Sequence, residues 1–251
     1  MSTRGFRTRD GIRVPAVTAE QMRQVDRIVQ GELGLSMLQM TENAGRSLAE
    51  NVMDMLGVKA GRAGQGQASE ITILAGAGGN GGAGLCCARH LHNRGFRLNL
   101  MLDREAVALH AAAGNQLQIL REVGLRQVVP LQAEEVIRRA DLVVDALIGY
   151  SLRGKPQGRA ADLIELCNQH AARVLSVDIP SGLDATTGEA RGLVVRADRT
   201  LTLALPKTGL QGLGGELYLA DLGIPPEVYE QIDVSYESPF TTSYWVPLEE
   251  A

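Results

Sequence analysis

The chain predicts an α/β fold built on a mostly parallel, doubly wound sheet with helices on both faces. Three observations carry that expectation. From Ile71 onward, short apolar runs alternate with helical patterns at the pitch of strand–helix–strand units. The runs are continuously apolar rather than alternating, as strands buried on both faces should be. Three of them lead directly into turns marked by glycine or aspartate, and the carboxyl ends of parallel strands are where such sheets hold ligands.

Two helices precede these units. Thr18 and Gln21 form a capping box ahead of Met22, Val25 and Val29 at helical spacing. Ser36 and Gln39 form a second, and Met37, Met40, Ala44, Leu48, Val52 and Met55 trace one face as far as Gly57. Residues 61–69, rich in glycine and polar side chains, read as a flexible loop. Strands are expected at 71–75, 97–102, 142–147, 173–178, 200–204 and 216–220. Helices are expected at 85–94, 105–123, 134–140 and 160–170, and Pro225 with Pro226 opens a short one. The fold should occupy residues 17–232, between a flexible basic arm at 1–16 and a polar, aromatic tail at 233–251 that is either docked or disordered.

Composition narrows the function classes. A chain of 251 residues suits one hydrophobic core. The formal net charge of −4 gives no overall case for binding nucleic acid or an anionic membrane. No stretch approaches the roughly twenty apolar residues of a membrane span. The arginine-rich start lacks an apolar run and an amphipathic stripe, so it reads as a frayed arm rather than a signal or import sequence. Cys86, Cys87 and Cys167 have no metal-ligand spacing and read as buried free thiols in a reducing, cytoplasmic compartment.

The chemistry collects at three strand ends. The first is the run from Gly76 to Gly84, which includes Gly79, Asn80, Gly81, Gly82 and Ala83. The second starts at Asp145 and continues through Gly149, Tyr150, Ser151, Leu152, Arg153, Gly154 and Lys155. The third is Asp178-Ile179-Pro180-Ser181-Gly182-Leu183-Asp184. Glycines let backbone amides approach a ligand, and placed before a helix they add the positive end of its dipole, which suits an anion. Asp145 and Asp178 end apolar strands, where a carboxylate is costly unless it meets a cation, a hydrogen-bonded ligand or a catalytic proton. His90, His92, His110 and His170 fall within helical patterns and read as peripheral.

In order along the chain, these segments resemble the NAD(P)H-hydrate epimerase family, the YjeF amino-terminal domain. The family pattern GxGNNGGDG, then AR-x-L, DALxG, VDIPSGLDADTG and PK-x-G is similar to Gly76–Gly84, Ala88-Arg89-His90-Leu91, Asp145–Gly149, Val177–Gly188 and Pro206-Lys207-Thr208-Gly209. Met40-Thr41-Glu42-Asn43-Ala44-Gly45 resembles its MENAG helix. The resemblance implies a Rossmann-like three-layer α/β/α fold, often a homodimer, and interconversion of the R and S epimers of hydrated NADH or NADPH. It implies a potassium ion held by Asn80, Asp145 and Ser181, and substrate along Gly79–Ala83 and Gly149–Lys155 with Asp178 at the reacting end. It also implies a separate dehydratase chain as pathway partner. Two departures stand out: Gly79 replaces the first Asn of NN, and Ala83 replaces the Asp of GGDG.

Two other readings follow from the same residues. A non-catalytic nucleotide-binding or dimerisation scaffold of this fold is consistent with Gly79 and Ala83. An NAD-dependent oxidoreductase would use Gly76, Gly78 and Gly81 as its fingerprint and Asp103 as its ribose-binding acid.

Overall fold

The structure, a computed structural model, describes residues 5–58 and 69–251. The loop expected at 61–69 lies, except for Ser69, outside the described residues. After the hairpin β1 (Phe6–Thr8) and β2 (Arg13–Val14) come α1 (Ala19–Ile28) and α2 (Met37–Met55). The alternating part follows as β3 (Glu70–Ala75), α3 (Gly79–His92), β4 (Arg97–Leu102), α4 (Ala111–Glu122), α5 (Ala133–Arg139), β5 (Leu142–Ala146), α6 (Gly158–His170) and β6 (Val174–Val177). The chain closes with β7 (Arg199–Leu203), β8 (Glu216–Ala220), α7 (Pro226–Glu230) and β9 (Trp245–Glu250).

The nine strands of the described residues form one sheet in the order β2-β1-β9-β8-β7-β6-β5-β3-β4. Strands β3 to β8 pair in parallel, and β9, β1 and β2 extend the β8 edge in antiparallel fashion. The chain runs from β3 outward to β4, then returns to β5 on the other side of β3. The β3/β5 junction is therefore the switch point, where an open α/β sheet leaves a crevice between diverging loops.

Strands β3, β5 and β6 are buried along their whole length, which is why their sequences are continuously apolar. The two-residue period still sorts side chains between layers. Ile71, Ile73 and Ala75 pack into the core under α1 to α4, whereas Leu74 joins Ile137, Leu163 and Ile164 under α5 and α6. Both expected capping boxes are present, Thr18 with Gln21 and Ser36 with Gln39. A π-helical turn at Val29–Leu33 and a left-handed Gly34 connect α1 to α2.

Three expectations need correction. Residues 6–8 and 13–14 of the arm are strands rather than frayed chain, because Phe6, Thr8 and Val14 turn inward while Arg7 and Arg13 face solvent. Their partner is the carboxyl-terminal segment, docked as β9, with Phe6 opposite Glu250 and Thr8 opposite Leu248. The helix expected at 105–123 is divided, with a single 3₁₀ turn at Ala106–Ala108 and α4 starting only after the extended His110. The glycine run is not a loop throughout: α3 already begins at Gly79. Its glycines serve close packing, since a Cβ on Gly81 would lie 1.8 Å from the Gly76 carbonyl oxygen.

Candidate active site

The switch point opens into a cavity of about 370 Å³. Its floor is made by the β3 and β5 exits, Ala77–Asn80 and Leu147–Ser151, with Asp178 after β6 and Lys207 after β7. Helices α1 and α2 supply Met22, Asp26, Met37, Met40, Thr41 and Ala44, and Arg104 and His110 come from the segment after β4.

Helix α3 starts at the cavity and has no side-chain cap; Gly78 is its N-cap. Its first amides are thus unclaimed by a capping side chain where the helix dipole favours an anion. Asn80, in the first turn, donates from Nδ2 to the Val177 carbonyl at 2.8 Å and ties α3 to the end of β6. Gly149 lies against the same amide: a Cβ there would sit 2.6 Å from Asn80 Oδ1, so a larger residue would displace the Asn80 side chain.

Asp145 is 0% exposed. Its Oδ2 accepts from the Ser176 hydroxyl at 2.8 Å and the Ser181 amide at 2.9 Å. Its Oδ1 accepts from the Ser181 hydroxyl at 2.6 Å and the Leu147 amide at 3.3 Å. Burial raises its pKa, and these donors pull it back. Every one of those partners is neutral.

Asp178 has the opposite surroundings. It is 2% exposed and Lys207 is 1% exposed, and the Lys207 ammonium bonds directly to Asp178 Oδ1. Lys207 also donates to the Leu203 carbonyl at 2.8 Å. Asp178 has φ 68°, a left-handed conformation that costs a non-glycine residue on the order of 1–3 kcal/mol. Its amide bonds to the Leu201 carbonyl at 2.8 Å, so neighbouring strand β7 holds the bend.

Of the residues expected from sequence, Gly79, Asn80, Gly149, Tyr150, Ser151 and Asp178 line the cavity. Asp145 and Ser181 bond to each other and do not line it, and Asn80 bonds instead to the Val177 carbonyl at the end of β6. Gly81, Gly82 and Ala83 are buried in the body of α3 and do not line the cavity. Leu152, Arg153, Gly154 and Lys155 do not line it either, and Arg153, Gly154 and Lys155 are exposed. His110, read as peripheral, is an exposed residue at the cavity's edge, where the break before α4 lets its amide bond to the Ala77 carbonyl. Sequence reasoning gave no role to Asp26, Arg104 or Lys207. Asp26 had a signal: it lies four residues after Met22 and next to Val25 on the buried side of an amphipathic helix.

A second group lies on the far side of α3. Glu42, Cys86 and His90 offer ligand atoms within 4.8 Å of one another, a small cluster able to coordinate a metal. In the structure Arg89 takes Glu42, at 2.7 and 2.5 Å. Cys86, Cys87 and Cys167 are buried free thiols, and burial pushes Cys86 up to about 12.

Residues 37–209 match the family model described as YjeF-related protein N-terminus. The chain is 46% identical over 246 residues to an NAD(P)H-hydrate epimerase of Dehalogenimonas lykanthroporepellens, covering 97% of this chain and 96% of that one. It is 32% identical over 230 residues to an NAD(P)H-hydrate epimerase of Rhodopirellula baltica, covering 89% and 90%. A bifunctional NAD(P)H-hydrate repair enzyme of Moorella thermoacetica is 36% identical over 225 residues, covering 84% of this chain and 41% of that longer one. The fold is shared with the crystal structure of the yeast protein ynu0, at a TM-score of 0.82 and 19% identity over 93% of this chain and all (100%) of that one. With its motifs, its switch-point cavity and these relatives in agreement, the chain belongs to the YjeF N-terminal family of NAD(P)H-hydrate epimerases.

Proposed function

We propose that this chain is an isomerase, an NAD(P)H-hydrate epimerase that interconverts the R and S epimers of hydrated NADH and NADPH. The observation that carries the chemistry is the buried Asp178–Lys207 pair opening into a cavity at the switch point. The hydrated ring has a hydroxyl on the carbon beside its nitrogen. Protonation of that hydroxyl lets it leave as water while the nitrogen lone pair forms a double bond to the carbon. Water then adds from the other face and gives up a proton to a base. Asp178, ion-paired with the Lys207 ammonium at the cavity, is the proton carrier. The uncapped start of α3 receives the substrate's diphosphate at Gly79 and Asn80, with Gly149 to Ser151 on the opposite lip.

A potassium ion fits the donors beneath this floor. Asp145 is a buried carboxylate with only neutral partners, and Asn80, Asp145 and Ser181 offer oxygen atoms, the ligands a hard cation takes. The ion would neutralise the buried charge and fix the three strand exits against each other. The enzyme works as a homodimer in the cytoplasm, alongside a dehydratase that acts on the same hydrates. In support of a soluble setting, no helix among the described residues is long and apolar enough to cross a membrane.

Two observations weigh against the other readings. Ala83 lies in the α2–α3 packing rather than at the cavity, so this departure from the family motif takes no group from its lining. The Asp103 carboxylate, which a dehydrogenase would offer to a ribose, is held by Arg104 at 2.8 and 2.7 Å.

Asp178→Asn tests the reading. Exchange between epimers, followed by chromatography or NMR, should slow by about 10²–10⁴-fold with little change in substrate affinity. Lost affinity with unchanged exchange per bound substrate would make Asp178 a contact only, and no exchange by the unmodified protein would favour a scaffold.

A further inference from the structure

Inversion at the hydroxyl-bearing carbon needs protons moved on both faces of the ring. One face loses a hydroxyl as water, and the other gains a hydroxyl from water. Asp178 and Lys207, on adjacent strand exits, form one group. The same cavity holds a second ionisable pair from different elements, Tyr150 in the turn after β5 and Asp26 on α1. The Tyr150 hydroxyl donates to Asp26 Oδ2, and both residues are half-buried. Asp26 forms no ion pair within the described residues, so its hydrogen-bonding partner is a phenol rather than a cation.

We propose that Tyr150, backed by Asp26, is a second proton-transfer group of the epimerisation, serving the ring face opposite to Asp178 and Lys207. The proposal rests on the epimerase reading. In one direction the Tyr150 hydroxyl turns from Asp26 to the leaving hydroxyl and protonates it, and the protonated Asp26 carboxyl, now the donor of the pair, passes its proton to the Tyr150 oxygen. The carbon–oxygen bond breaks, and the ring nitrogen forms a double bond to that carbon. Water attacks the other face and its proton passes to the Asp178 carboxylate. The turnover leaves Asp26 ionised and Asp178 protonated, the state that converts the opposite epimer back. Burial raises the pKa of Asp26 and of Tyr150, which favours the protonated forms this role needs. The charged and titratable groups facing the pair are Lys207, Asp178, Tyr229 and Arg23.

The test follows Tyr150→Phe and Asp26→Asn with each epimer in heavy-oxygen water. Tyr150→Phe keeps the ring that packs in the turn and removes only the hydroxyl. Inversion should slow by about 10²–10⁴-fold, with KM little changed. One epimer, the one whose hydroxyl faces Asp178, should still take up solvent oxygen with its configuration retained, so exchange outruns inversion. Asp26→Asn should show the same uncoupling. Inversion and oxygen exchange falling together, or inversion at the unmodified rate, would overturn this proposal alone. No epimer exchange by the unmodified protein would overturn the epimerase reading itself.

Discussion

The exits of β5 and β6 each place an aspartate at the end of a fully buried parallel strand, at 0% and 2% exposure. Asp145 is surrounded by hydroxyls and amides, and Asp178 by an ammonium and an open cavity. Asp145 joins β5 to the Ser181 turn and has only neutral hydrogen-bond partners. Asp178 has its charge compensated, a strained backbone and a route to substrate. One sequence signal therefore produces two physical objects. The partner, rather than the burial, separates an anchor from the proposed proton carrier.

Removing Lys207 should produce the largest change in stability. Lys207→Met leaves the Asp178 carboxylate buried and unpaired, a loss of about 3–5 kcal/mol. Adding Asp178→Asn should recover much of it, as read by denaturant unfolding of both variants. If the single variant is as stable as the unmodified protein, the pair is not the cost centre of this strand end.

Asp145→Asn should cost less, about 1–3 kcal/mol, because one of two accepting oxygens is lost among neutral donors. It also probes the proposed ion. Replacing potassium by tetramethylammonium at constant ionic strength should weaken substrate binding in the unmodified protein and leave Asp145→Asn indifferent. Equal affinity in both salts for the unmodified protein would remove the cation from the comparison.

Asp26 extends the comparison to a third acid, with the smallest expected effect. Burial raises its folded pKa above the ordinary aspartate value of 3.8. Its contribution is then fully present below that unfolded value and lost as pH rises through the folded pKa. Asp26→Asn should therefore be more stable than the unmodified protein at neutral pH, by on the order of 1 kcal/mol, with the advantage fading in acid. A thermal-unfolding difference that grows as pH falls would reverse the assigned sign.

The central strands were legible because burial on both faces leaves a run of apolar residues that needs no tertiary context. The first two helices were legible because a capping box and a single apolar face are local. Hairpin β1–β2 was missed because two or three residues cannot establish a period, and its exposed arginines dominate the composition of the segment. The glycine run was read for turns, while Gly81 and Gly84 are small because α3 lies against the Gly76 carbonyl and the Ala146 side chain. The family resemblance places Arg153 and Lys155 along the substrate, yet the turn after β5 carries them past the cavity into solvent.

The sequence by itself determined the strand–helix alternation, the three exits marked by glycine or aspartate and the two buried aspartates, since each is written in neighbouring residues. Only the tertiary structure decided what those aspartates meet. Lys207 lies 29 positions beyond Asp178, and Asp26 lies 124 positions before Tyr150. Such pairings depend on strand order and on α1 crossing the cavity, and the charge state of a buried acid depends on the partner that arrives.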